Sequence, residues 1–410
     1  MASLAASAIT LLVAILAAYL YIQTENKSVI STVSCSGTVS EKRICVMENV
    51  CYSYKKNHHT FMLYGLRPLY TGAVSYLMAV DKFPQAAVYF DGSPDMFPAE
   101  SIIDQPVYAI IRFKPDNLMH VIHDDILPLY STLDDLELRP PFNLHLMFVD
   151  DYGKMPYDTL YQNLTLLPII YNSVQTRCFN KVILGSYRST LWYQYGFHSS
   201  QGPLNDIDVV TVRGHILSYR QYTEPSAAKL EPNKIVLFTR SETRLILNED
   251  ELLTYLSKKF MRSAVSVSLE THTVEEIAWI LSETRLLVGM HGSAMAMAMY
   301  LPKDSAMLEL FPYAVPPAGY TPYKRLADIL GVNYLSWQNK HRDRSVGHAD
   351  FPAEFGGLDH ISAEERQRIV AETEVPPHHC CDDPSWLYHI YQDTWVTIPE
   401  INELLDELLL

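Results

Sequence analysis

Two histidines and three aspartates stand within "FKPDNLMHVIHDDILPLY", residues 113–130, in an otherwise mostly apolar run. Histidine beside carboxylate can move a proton, hold a metal ion or form the wet edge of a helix. Read as a helix from about Asn117, at roughly 100° per residue, the stretch puts Leu118, Val121, Ile122, Ile126 and Leu129 on one face. Asn117, His120 and Asp124 then follow one another along a second edge at i, i+3 and i+4 steps. His123 lies beyond that edge, free to meet a ligand or solvent. Asp125 falls on the apolar side and is expected to be structural. Pro128 disfavours helix at Leu127, so the helix should end or kink just past the aspartates. The plain reading is an amphipathic helix with a solvated edge. The functional one is His120 hydrogen-bonded to Asp124, with Asp124 the expected base toward a substrate hydroxyl and His120 its orienter and the alternative base.

Two further clusters suit an anion. In "TRSETRLILNEDE" Arg240 closes a short β-branched run and Arg244 stands four residues on, just before a helix. Arginine offers rigid paired donors to phosphate oxygens, and a helix N-terminus adds free N–H groups. The plain alternative is surface pairing with Glu242 or Glu249. In "VGMHGSAMAMA" Gly289 and Gly292 flank His291 between a strand and a small-residue helix. Glycine there lets backbone approach a ligand closely. "HHCC" at 378–381 has metal-ligand chemistry, but four consecutive residues rarely point at one ion, and no metal site is expected.

These residues need elements to carry them. From 234 onward short apolar runs alternate with helical stretches: "KIVLFTR", "NEDELLTYLSKKF", "AVSVSLE", "TVEEIAWILSE", "RLLVGMHG", "SAMAMAMYL", "AMLELFP", "TPYKRLADILG" and "VNYLSW". That alternation predicts βαβ units and a parallel sheet covered on both faces. Asn248 and Glu251 are placed as a capping box, and a second helix starts from Thr271 or Thr273. The first half offers the strands "AVYFDG", "PVYAIIRF", "NLHLMFV" and "KVILGS", with the His/Asp helix between the second and third. The expected division is a first α/β domain over 35–222, a linker at 223–233, and a second α/β domain over 234–375. A helical segment over 376–410 is expected to pack back on the first domain. Two such halves imply a cleft between them, where ligands bind. Neither a G-x-G-x-x-G nor a G-x-x-x-x-G-K-[ST] motif is present, which disfavours a dehydrogenase and a P-loop enzyme.

The 410 residues, 48% hydrophobic and 19% charged, suit two folded domains. The net charge of −15 disfavours a nucleic-acid partner. Residues 2–22 carry no charge, and as helix they would reach about 31 Å, enough to cross a bilayer. Residues 1–24 are therefore read as an uncleaved signal anchor, followed by a stem at 25–34. Six cysteines (35, 45, 51, 178, 380, 381) suggest disulfides in an oxidising compartment, with the connectivity left open. Asn26 and Asn163 head N-x-[ST] sequons.

With "N-x-x-H-x-x-x-D" before a proline, "R-x-x-x-R-x-I-x-N-x-x-E" before a helix, and "V-G-M-H-G" in place, the chain resembles glycosyltransferase family 61. The likeness continues through "WYQYGF", "QGP", "ELFPYAV", "YTPYK", "CC" and "IYQDT", in order, over residues 33 to about 400. It implies a GT-B fold, two Rossmann-like domains facing a cleft, behind one N-terminal transmembrane helix. It implies a single-pass type II enzyme of the endoplasmic-reticulum membrane with its catalytic part lumenal. The implied reaction is inverting transfer of GlcNAc from UDP-GlcNAc, in β1,4 linkage, to O-linked mannose on a protein such as α-dystroglycan. By the same likeness Asn117, His120 and Asp124 fall on the acceptor-side motif, with His123 beside them. Arg240, Arg244, Asn248, His291, Gly292 and Ser293 fall on the nucleotide side. No cofactor and no metal is expected, because arginines and helix ends can hold a diphosphate. The sequence departs from the family in reading "HGSAM" for "HGA". The fibronectin type III domain expected next does not follow "INELLDELLL", which bears on acceptor recognition. The alternatives are a related xylosyl- or O-GlcNAc-transferase with another acceptor, or a non-catalytic glycan-binding protein of the same fold. The latter would have no use for the His/Asp edge and both arginines.

Overall fold

The computed structural model describes residues 30–55, 58–67, 70, 72–79, 83–94, 97, 102–171, 177–195, 202–224, 232–375, 383–406 and 408. The expected anchor, Asn26, the first half of the 25–34 stem, most of the 223–233 linker and "HHCC" lie outside these residues. Among the described residues no helix is long and apolar enough to cross a membrane. The fold is mixed α/β, built on two main sheets.

The first sheet has ten strands: β1 (Thr32–Ser36), β2 (Ile44–Lys55), β3 (His58–Tyr64), β4 (Ser75–Tyr76), β5 (Ala87–Ser93), β6 (Ile102–Ile103), β7 (Val107–Ile110), β8 (His145–Phe148), β9 (Ile170–Tyr171) and β10 (Arg177–Leu184). Their order is β4-β5-β3-β2-β10-β7-β8-β9, with β1 on β2 and β6 on β10. The segment that holds Cys35, Cys45 and Cys51 forms the antiparallel strands β1–β3. Register sets Cys35 opposite Cys45 and Cys51 opposite Cys178, and both pairs are disulfides. The strands β10, β7, β8 and β9 run parallel, so β7 reaches β8 by a helical crossover.

That crossover is the His/Asp helix. Asn117 caps it, its side chain accepting from Met119 N at 3.1 Å. The helix does not stop at Pro128. Val121–Ile126 widen into a π-turn, with Leu127 N–H donating to Ile122 O, and helix resumes over Leu127–Asp135. Pro128 then stands at the start of that second piece, where a missing N–H costs little. Such π-turns often mark functional sites.

After a two-stranded ribbon, β11 (Tyr193–Gln194) and β12 (Gly202–Pro203), the chain enters helix Val209–Thr223 and the second sheet. Its five strands, β13 (Lys234–Phe238), β14 (Ala264–Val267), β15 (Thr284–Met290), β16 (Ala306–Phe311) and β17 (Asn333–Gln338), are all parallel. The order β14-β13-β15-β16-β17 is 2-1-3-4-5 within the sheet, so the winding reverses between β13 and β15. The Thr273/Glu276 capping box starts the helix Val274–Ser282. Ser293–Tyr300 is a 3₁₀ helix, not an α-helix, and it is buried between the halves.

The halves share one continuous apolar core. Leu118, Val121 and Ile122 of the His/Asp helix belong to it together with Met295–Leu301, Tyr323 and Leu326. Hydrogen bonds also cross, from Trp192 Nε1 to Pro322 O (3.0 Å) and from Arg220 to the carbonyls of Tyr300 and Leu301 (3.0 and 2.9 Å). The C-terminal helix Ile398–Asp406 corrects an expectation. It packs on the second sheet, not the first: Ile401 and Leu405 form a stripe buried against Leu252, Leu256 and Trp337. The helix Glu249–Phe260 leaves that part of the sheet face open, and an apolar i, i+4 pair fills it.

Candidate active site

The carboxyl ends of the parallel strands in both sheets open on one cavity of about 400 Å³. From the first half Asn117 and His120 line it, and from the second Arg244, His291, Gly292 and Ser293. Residues spread over 117–293 in sequence thus share one wall-to-wall space.

On the first side His120 Nδ1 lies 2.7 Å from Asp124 Oδ2. The other carboxylate oxygen, Oδ1, is 2.5 Å from His123 Nδ1. His123 Nε2 accepts from Trp192 N at 3.0 Å and Tyr193 N at 3.4 Å, so its proton sits on Nδ1 and is donated to Asp124. Asp124 is 1% exposed and His123 0%. Burial alone would push the Asp124 carboxyl up, but the histidines donating to it prevail and hold it below its ordinary value. His123 is therefore not free to meet a ligand. The π-turn swings it inward against Trp192, their rings 4.2 Å apart. Asp124 is likewise not open to the cavity: His120 stands between, and His120 Nε2 has no partner among the described residues. Asp125 is buried, as its place on the apolar side suggested, accepting from Tyr161 OH at 2.6 Å and from Phe113 N.

On the second side Arg240 follows β13 and His291 follows β15, the two strands that flank the reversal of winding. Open α/β sheets bind ligands there. Both guanidinium groups converge on Gly292. A Cβ at that position would collide with Arg240 Nη2 and lie 2.7 Å from Arg244 Nη1. Among the described residues neither arginine has a carboxylate within 4.0 Å. Arg244 Nη1 donates to His291 O at 3.0 Å, its plane lies 4.5 Å over the Tyr391 ring, and its Nε is buried without a partner. Burial, helped by the neighbouring charge of Arg244, pushes Arg240 down to about 9. Two crowded cations, with Glu270 acting on Arg240 only from beyond ion-pair distance, beside the free amides of a helix start make an anion site. His291 Nδ1 is 2.5 Å from Glu309 Oε1, and Tyr334 OH donates to Glu309 Oε2 at 2.6 Å.

The Glycosyltransferase 61 family model matches residues 197–308, which include both arginines and His291. Protein O-linked-mannose beta-1,4-N-acetylglucosaminyltransferase 2 of Xenopus laevis is 35% identical over 407 residues, covering 90% of this chain and 68% of that protein. The human protein of the same name is 34% identical over 397 residues, covering 90% and 67%. The mouse protein is 35% identical over 399 residues, covering 90% and 67%. The chain belongs to glycosyltransferase family 61. It is accordingly a transferase that works with a nucleotide-sugar donor and a glycoprotein acceptor.

Within this family member, Asn248 stands apart from the cavity. It begins the helix Glu249–Phe260 but makes no backbone cap. Its side chain instead straddles Val396, donating to its O at 2.9 Å and accepting from its N at 2.8 Å, and it also donates to Glu251. Asn163 is exposed, with Nδ2 on Glu275 Oε1 at 3.0 Å. One D-x-D triplet, Asp206-Ile207-Asp208, bears on the metal expectation. Asp208 caps the helix Val209–Thr223 through Val210 N and Thr211 Oγ1, and neither aspartate lines the cavity. Tyr195, Tyr320, Tyr323, Trp386 and Tyr391 do line it and were not singled out as site residues. The signals for the four tyrosines were "WYQYGF", "YTPYK" and "IYQDT", motifs whose aromatic residues look like core in sequence, and Trp386 falls in none of them.

Proposed function

We propose that this chain transfers GlcNAc from UDP-GlcNAc to O-linked mannose on a protein such as α-dystroglycan, in an inverting β1,4 reaction. The observation that carries the reading is the pair of guanidiniums, Arg240 and Arg244, crowded beside Gly292, with Arg244 and Gly292 lining the same cavity as His120, which Asp124 backs. In this scheme Arg240, Arg244 and the amides at Ser293 hold the diphosphate. His120 Nε2 takes the proton of the mannose hydroxyl. Asp124 stays ionised, fixes the ring of His120 and stabilises the imidazolium that forms. The mannose oxygen bonds to the sugar's anomeric carbon as the bond from that carbon to the β-phosphate breaks, and UDP leaves with the electron pair. Charge placed where the leaving group develops it supplies much of the rate in such transfers. Asp124, expected from spacing to be the base, becomes the orienter because its oxygens face histidines. The same reading includes a GT-B arrangement of the two sheets. It includes a type II anchor over 1–24, with the folded part in the endoplasmic-reticulum lumen, which the two disulfides support. It includes no divalent metal. The test is transfer to an O-mannosyl peptide across a panel of UDP-sugars, with and without EDTA. GlcNAc transfer that survives EDTA is expected. Transfer from UDP-xylose instead, or none from any sugar, would replace this reading.

A further inference from the structure

The "IYQDT" motif, residues 390–394, sits nearly 150 residues beyond the arginine loop in sequence yet lies directly on it. Arg244 has a left-handed backbone, φ 58°, which a non-glycine residue keeps only where its surroundings enforce it. The enforcing contacts come from one strap. Arg244 N donates to Tyr391 O at 3.3 Å, Thr394 N to Leu245 O at 2.8 Å, and Leu247 N to Thr394 O at 2.9 Å. Ile246 bridges to Thr394 in parallel. Among the described residues, the side chain that hydrogen-bonds the backbone of the turn itself is that of Asp393. Its Oδ1 accepts from Leu245 N at 2.9 Å, the amide next to the strained residue, while its Oδ2 lies 3.1 Å from His348 Nε2. Asp393 is 5% exposed, does not line the cavity and contributes no charge within 4.0 Å of either arginine. A nearly buried carboxylate is costly to keep unless it is paired and hydrogen-bonded.

We infer that Asp393 is a positioning residue for the donor diphosphate: it locks the turn that aims the Arg244 guanidinium beside Gly292. The inference rests on the diphosphate reading of the arginine pair. Without the Asp393 acceptor the turn relaxes toward an ordinary right-handed backbone, and the guanidinium leaves the space where it meets Arg240.

The test is a double-mutant cycle on UDP affinity, read by calorimetry on the full chain, with donor and acceptor KM alongside. Asp393→Ala should weaken UDP by about tenfold, the loss of one well-placed hydrogen bond, and raise donor KM while acceptor KM stays. Asp393→Asn, which keeps Oδ1, should restore most of the affinity. In an Arg244→Ala background Asp393→Ala should add little, because partners in one unit are not additive. If the alanine protein does not fold, Asp393→Ser, too short to reach Leu245 N, takes its place. Full additivity with Arg244→Ala, or loss of affinity in Asp393→Asn as large as in alanine, would overturn the positioning role. Unchanged UDP affinity in Arg244→Ala would instead remove the diphosphate reading, and the role of Asp393 with it.

Discussion

At the scale of single residues the site turns on which group meets the substrate. His120 lines the cavity and Asp124 supports it from behind. His120→Ala should therefore nearly abolish transfer, while Asp124→Asn, which leaves the ring poorly oriented, should cost about 10²- to 10⁴-fold. Both proteins should bind UDP as wild type does. Asp124→Asn with near wild-type turnover would show that His120 needs no carboxylate. On the donor side, Arg240→Ala and Arg244→Ala should each weaken UDP by roughly 10- to 150-fold, the value of a charged hydrogen-bond partner. Lysine at either position should recover only part, since a point charge cannot replace a planar fork. Titration calorimetry with UDP reads both, and unchanged affinity in the two alanine proteins would place the nucleotide elsewhere.

At the scale of elements, the crossover helix holds the chemistry because its turns send neighbours in sequence to different faces. Asp124 and Asp125 are adjacent, yet one faces two histidines and the other faces Tyr161 and the Phe113 amide. Burial pushes the Asp125 carboxyl well up, against the smaller pull of the Tyr161 hydroxyl. It ties the end of β7 to the helix and has no route to the cavity. Asp125→Asn should lower stability by about 1–3 kcal/mol, the usual range for a disturbed buried polar partner, and leave the UDP affinity of the folded fraction intact. Thermal melting with and without UDP separates the two effects. An unchanged melting temperature, or lost affinity in folded protein, would contradict the assignment.

At the scale of the whole molecule, one core runs through both halves and makes the cavity walls a single unit. Stability should then respond globally to a local titration. His59 lies in the first sheet, hydrogen-bonded to Tyr52, and burial lowers its imidazole to about 4, opposed by the Gln85 backbone. A folded value below the unfolded value of about 6.5 contributes stability that is complete above 6.5 and is lost as pH falls toward 4. The span corresponds to roughly 3 kcal/mol at most. Denaturant unfolding between pH 7 and 4 should show that decline, and His59→Asn, which keeps an acceptor toward Tyr52, should flatten it. An equal slope in the variant would assign the decline to other groups.

Much of this protein is written in local pattern. The βαβ alternation after 234, the helix start near Asn117 and the His120–Asp124 spacing follow from periodicity and side-chain chemistry, and so does the placing of Arg240 and His291 at strand ends. Local pattern also singled out Asp125, because an acid on an apolar face must find buried partners. What it could not supply is whatever depends on partners far along the chain. The inward turn of His123 needed Trp192, and the role of Asn248 needed Val396, about 150 residues away. The docking of Ile398–Asp406 depended on which sheet face was left uncovered. Pro128 does not end the helix, because a π-turn, invisible to a 3.6-residue period, precedes it and helix resumes at Leu127. The choice of proton acceptor was likewise tertiary. Sequence spacing sets two groups on one helix edge, but only packing decides which of them faces the cavity and which is enclosed behind it.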